Sequence, residues 1–143
     1  KPDMLRLAFD FIITWRETRT RPNAYFLKDA KPKVEVNDNR IQKVLSHIRK
    51  NIYKTVDIDS LAAISCLSKD HFIRLFKKEV GTTPLQYINQ KKIEKAQLIL
   101  ITEDIPVKNI AYLLAYEDHS YFNRLFKKIT DVTPQQYREL YKK

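Results

Sequence analysis

The stretch Phe72-Ile73-Arg74-Leu75-Phe76-Lys77-Lys78, continued to Thr83-Pro84-Leu85-Gln86-Tyr87, returns fifty residues later. The second copy reads Phe122-Asn123-Arg124-Leu125-Phe126-Lys127-Lys128 and ends in Thr133-Pro134-Gln135-Gln136-Tyr137. Windows 72–87 and 122–137 agree at ten of sixteen positions without a gap. A unit repeated at a fixed period states its register twice, which no single short motif can do. In each copy the aromatic and leucine positions fall on one helical stripe. Position 73 or 123, the arginine, and Lys77 or Lys127 fall on the opposite one, with Asp70 and Ser120 one turn earlier.

Working outward, Ser68 is placed to cap the first of these helices. Gly81 can take the left-handed conformation that ends it, and Thr83-Pro84 opens the next. That next helix runs over 84–101, with Leu85, Ile88, Ile93, Ala96, Ile99 and Leu100 expected inside. Ahead of the first copy, Ile41, Val44, Leu45, Ile48 and Ile52 keep helical spacing. Asp57 or Asp59 can cap a second helix with Leu61, Ala62 and Ile64 inward. Pro106 starts an equivalent unit, in which Ile110, Ala111 and Leu113 match Leu61, Ala62 and Ile64.

Over residues 3–19, Leu5, Ala8, Phe9 and Ile12 form one stripe with Trp15 or Arg16, and Leu7, Phe11 and Ile13 form another. A helix apolar around so much of its girth needs a partner surface. A missing domain, the rest of the chain or a second copy would serve, so residues 3–19 are a candidate homodimer contact. The Pro-punctuated stretch from Thr18 to Arg40 reads as a linker. The division is thus 1–40 and 41–143, the latter split into 41–83, 84–101 and 102–143.

Composition agrees. One glycine in 143 residues disfavours a turn-rich β-protein and phosphate-cradling glycine loops, so the fold class is all-α. The formal charge of +10, from 27 basic and 17 acidic side chains, favours a polyanionic partner. Cys66 is single, which fits a reducing cytoplasm and rules out a disulfide framework. No apolar run reaches the roughly 20 residues that span a bilayer. An anionic membrane surface is the next candidate for the charge, but it would call for one helix with apolar and basic sides. The basic residues instead repeat on two helices fifty residues apart, so no membrane partner is read.

A short helix, a tight turn and a second helix at a steep angle make a helix-turn-helix, whose second helix suits a DNA major groove. Base-reading candidates are Asp70, Ile73 and Arg74 in the first copy, and His119, Ser120, Asn123 and Arg124 in the second. Arginine can bond guanine O6 and N7 together, asparagine adenine N6 and N7, and isoleucine can pack on a thymine methyl. Asp70 can accept from a cytosine amino group or cap its own helix. Lys69, Lys77, Lys78, Lys92, Lys127 and Lys128 are phosphate candidates.

With both motifs in view, Ser68 to Lys78 and Ser120 to Lys128, with Thr133-Pro134 and Tyr137-Arg138, resemble the DNA-binding domain of bacterial AraC/XylS-type transcriptional regulators. The resemblance covers about residues 41–141. It implies seven helices, two helix-turn-helix units on a long linking helix, and recognition helices about 34 Å apart on double-stranded DNA. It also implies transcriptional activation through RNA polymerase and an N-terminal effector or dimerisation domain. Where the family often has glycine in each helix-turn-helix turn, this chain has Cys66 and Ala115. Either those turns differ, or the chain bears about 1 kcal/mol or more of strain. Asp131 likewise stands where the first copy has Gly81.

Catalysis finds no support. His47, His71 and His119 keep no metal-ligand spacing with Cys66 or with one another. Cys66 is expected in a turn over the core, a poor setting for a nucleophile. No enzyme activity and no cofactor are read. The competing reading is a basic helical module that binds an acidic protein without sequence-specific DNA readout. RNA is disfavoured because its major groove is too narrow for a helix.

Overall fold

The computed structural model describes residues 35–142, which form seven helices and no strand. They are α1 Asn39–Lys50, α2 Ile58–Ser65, α3 Lys69–Val80, α4 Pro84–Thr102, α5 Val107–Leu113, α6 His119–Thr130 and α7 Pro134–Tyr141. The expected helix over 3–19 and most of the expected linker lie outside the described residues. The linker's last two residues belong to α1, because the Asp38 carboxylate accepts from the Arg40 and Ile41 amides and starts the helix there.

The other boundaries have local causes of the same kind. Asp57 caps α2 through the Ser60 amide at 2.8 Å, and Ser68 caps α3 through the His71 amide at 3.3 Å. Thr83 and Gln86 make a capping box at the start of α4, bonding at 3.2 and 3.1 Å. Thr133 and Gln136 repeat it at the start of α7, at 3.1 and 2.9 Å. Each box satisfies two of the amides that a helix start leaves unbonded.

Two apolar clusters fill the interior. The first gathers Ile41, Val44 and Ile48 of α1, Leu61 and Ala62 of α2, Phe72 and Phe76 of α3, and Ile88 of α4. The second gathers Ile93, Ala96, Ile99 and Leu100 of α4 with Ile110, Ala111, Leu114, Tyr116, Phe122, Phe126 and Tyr137. The repeat is visible in the rings: Phe72–Phe76–Tyr87 pack edge-on at 5.7 and 5.6 Å, and in the second copy Phe122–Phe126 are tilted at 6.0 Å and Phe126–Tyr137 edge-on at 5.6 Å. Helix α4 therefore serves both halves, Ile88 in one and Ile93 onward in the other. Leu85, expected inside, is 58% exposed: Pro84 and Ile88, four residues apart, hold the buried stripe of this end of α4, and Leu85 falls beside it. Among the described residues no helix is long and apolar enough to cross a membrane.

Candidate nucleic-acid interface

The second helix of each unit is aimed by the turn that precedes it. In the first, the Cys66 amide bonds Ala63 O at 3.0 Å and the Leu67 amide bonds Ala62 O at 3.2 Å. In the second, the Ala115 amide bonds Tyr112 O and the Tyr116 amide bonds Ala111 O, both at 2.9 Å. Bonds spanning three and five residues back make a Schellman motif, which needs a left-handed residue. Cys66 at φ 61° and Ala115 at φ 67° supply it without glycine. Of the two expected alternatives, the turn is kept and the strain is borne. Asp131 does the same at φ 73°, matching Gly81 at φ 97°.

The two turns are unequal. From Cys66 to the cap Ser68 the chain advances two residues; from Ala115 to the cap Asp118 it advances three, with Glu117 added. Asp118, whose carboxylate accepts from the Ser120 and Tyr121 amides at 2.9 and 3.3 Å, starts α6. Sequence reasoning missed this cap, although counting fifty residues on from Ser68 would have found it. Cys66 is exposed rather than laid over the core, because its left-handed backbone turns the side chain outward.

On α3, Asp70, Arg74, Lys77 and Lys78 are exposed. Ser68 holds the cap, so Asp70 is not needed for that purpose. Lys69 is also exposed, with its Nζ 3.5 Å from the Asp59 carboxylate, a surface pair of little strength. Ile73 is half-buried and packs against the first core, so only part of it remains for a thymine methyl. On α6, Ser120, Arg124, Lys127 and Lys128 are exposed and His119 is half-buried. Exposed cations thus line the same face of both helices.

Two expected residues are placed differently. Asn123 has its side-chain oxygen buried with no hydrogen-bond partner. Bidentate adenine reading needs both ends of the amide in the groove, so this rotamer cannot perform it. Lys92 is not a phosphate contact: it is 5% exposed, and its ammonium bonds Ile52 O, Lys54 O and Leu114 O inside the molecule. Burial pushes its pKa down to about 8. Helical spacing put Lys92 on α4, but its three acceptors come from residues 38, 40 and 22 positions away in sequence.

The helix-turn-helix domain family matches residues 61–140. The chain belongs to the AraC-type helix-turn-helix family. It is 34% identical over 94 residues to the MmsAB operon regulatory protein of Pseudomonas aeruginosa, covering 66% of this chain and 31% of that protein. It is 30% identical over 102 residues to the arabinose operon regulatory protein of Escherichia coli, covering 71% of this chain and 35% of that one. The chain therefore spans about a third of the length of these curated relatives. A solved structure, the C-terminal domain of the response regulator YesN from Fusobacterium nucleatum, superposes with a TM-score of 0.67 at 31% identity, covering 71% of this chain and 99% of that one. The AraC-type unit thus carries two helix-turn-helix motifs, α2–α3 and α5–α6, on the common helix α4. Among the described residues no group of side chains could hold a metal ion.

Proposed function

We propose that this chain is a sequence-specific double-stranded DNA-binding transcriptional regulator that reads two successive major-groove segments with α3 and α6. The observation that carries the proposal is the repeat of an exposed arginine and two lysines on the outer face of both recognition helices. Arg74 and Arg124 read bases, with Asp70, Ser120 and His119 beside them. Lys69, Lys77, Lys78, Lys127 and Lys128 hold phosphates and supply much of the affinity, which makes binding salt-sensitive.

The finer parts of the proposal concern the whole regulator. They are activation through RNA polymerase, a cytoplasmic location beside the chromosome, and self-association through residues 3–19. Sedimentation of residues 1–143 against 41–143 tests the last; equal monomers would refute it.

The main test is selection of bound duplexes from a random pool at near-physiological salt. Two enriched elements about ten base pairs apart are expected. Arg74→Ala should remove one preference and Arg124→Ala the other, each by about 1–3 kcal/mol at one base pair. Salt-dependent binding without enrichment would mean that charge alone acts. No binding would favour a protein partner instead.

A further inference from the structure

The two apolar clusters part company within five residues of α4: Ile88 belongs to the first and Ile93 to the second. Lys92 stands at this seam. Its Nζ donates to Ile52 O at 2.6 Å, Lys54 O at 2.9 Å and Leu114 O at 2.7 Å. An ammonium has three protons, so the donor set is used in full. Ile52 and Lys54 lie in the connection after α1, in the first half, while Leu114 closes α5 in the second. The Tyr116 ring, next to the left-handed residue of the second turn, has its centroid 5.9 Å from the same nitrogen.

This is a costly way to gain stability. A charge taken from water must recover its solvation in hydrogen bonds, and the ion pairs among the described residues engage other cations. What it supplies is geometry. Apolar contact is non-directional and tolerates sliding. Three hydrogen bonds from one nitrogen to carbonyls on two separate segments do not.

We infer that Lys92 is a positioning residue for bipartite readout: by tying the end of α1 and the end of α5 to one point on α4, it sets the offset between α3 and α6 and so the spacing of the DNA elements accepted. The inference rests on the DNA-reading function proposed above. From the tripod, α3 is reached through the packed trio α1, α2 and α3, and α6 through the short turn after α5. One base pair more or fewer between elements moves the second by about 3.4 Å along the duplex and about a tenth of a turn around it. A fixed joint rejects that displacement and a slack one follows it.

Lys92→Met keeps an unbranched side chain as far as the Cε position and removes the ammonium. Affinity is measured on duplexes carrying the two selected elements at the selected spacing and at one base pair either side. The parent chain should lose roughly tenfold off-spacing, and the variant less than about threefold, with base preference inside each element retained. An unchanged spacing penalty in the variant would overturn the inference.

A second measurement needs no DNA. Exposed Cys66 labels the first turn, and Glu117→Cys adds a label in the second. The spin-label distance distribution should be narrow with Lys92 and broad in Lys92→Met at equal helix content; equal widths would sink the inference. This decides the geometry even if selection finds no operator and the DNA-reading proposal fails. Should Lys92→Met not fold, Lys92→Arg retains charge and donors with a longer planar fork. It should shift the mean distance, and an unshifted mean would overturn the inference.

Discussion

The Tyr116 hydroxyl donates to the side-chain oxygen of Asn89 across 2.7 Å, which fastens the turn before α6 to α4 one helical turn ahead of Lys92. The phenol is buried, and burial holds its pKa well above the ordinary tyrosine value. Tyr116→Phe leaves the Asn89 oxygen without this partner and should cost about 1 kcal/mol in urea unfolding. In the parent chain, the Tyr116 phenol should ionise only when the protein unfolds, visible as an ultraviolet difference band that rises with the unfolding transition.

The left-handed residues offer a gain. Cys66→Gly and Ala115→Gly remove the Cβ that strains the Schellman turns, at the expense of a more flexible unfolded chain. Each should raise stability by roughly 0.5–1 kcal/mol. Gly81→Ala should lower it by about 1 kcal/mol, and by backbone strain alone, because an added Cβ there meets nothing within 4 Å. Thermal melts of the three variants check both signs.

The split interior predicts unequal damage. Phe72→Ala and Phe122→Ala each empty a fully buried site and should cost about 3–5 kcal/mol. Amide exchange should then accelerate mainly in α1–α3 for the first and in α5–α7 for the second. Equal acceleration throughout would mean that α4 joins the clusters into one cooperative unit.

Lys78→Ala or Lys128→Ala should weaken binding alike for all sequences and lower the salt slope by about one. Affinities at several salt concentrations on selected and scrambled duplexes measure this. A base-selective loss would reassign these lysines to readout.

Stability should also depend on pH through Lys92. Its folded pKa of about 8 lies below the ordinary lysine value. Between that pH and about 10.4 the unfolded chain holds the proton that the folded chain releases. Stability therefore rises with pH over this window and is lost as pH falls back through 8. The stability difference between the parent chain and Lys92→Met should grow by roughly 1 kcal/mol per pH unit from 8 to 10. A flat difference would show that the three carbonyls hold the ammonium at its ordinary pKa.

Much of the fold was legible because its signals are local. Ser68, Gly81 and Thr83-Pro84 mark helix ends by their own chemistry, and the apolar stripes state which face turns inward. The second copy then repeated the pattern. Local pattern could not say which lysine is buried, since Lys92 is defined by carbonyls from distant segments. It placed Leu85 inside because Leu85 and Ile88 keep helical spacing, whereas the buried stripe runs through Pro84 and Ile88 and leaves Leu85 at its edge. Asn123 lay on the expected face, but its buried oxygen depends on a rotamer that spacing cannot supply. The exposed arginines and lysines of α3 and α6 were found because exposure on a helix follows directly from phase.

The residues shared by the two copies are chiefly those that pack and cap, while exposed Asp70 in the first corresponds to exposed Ser120 in the second. On the DNA-reading function proposed above, two like scaffolds would therefore present unlike reading edges. A symmetric pair of identical readers would suit a palindrome and sit equally well either way round. Unlike readers in one chain suit a directed sequence, and give the bound molecule a heading along the duplex. Exchanging the order of the two elements in DNA would leave each base contact available, but not both from a single chain.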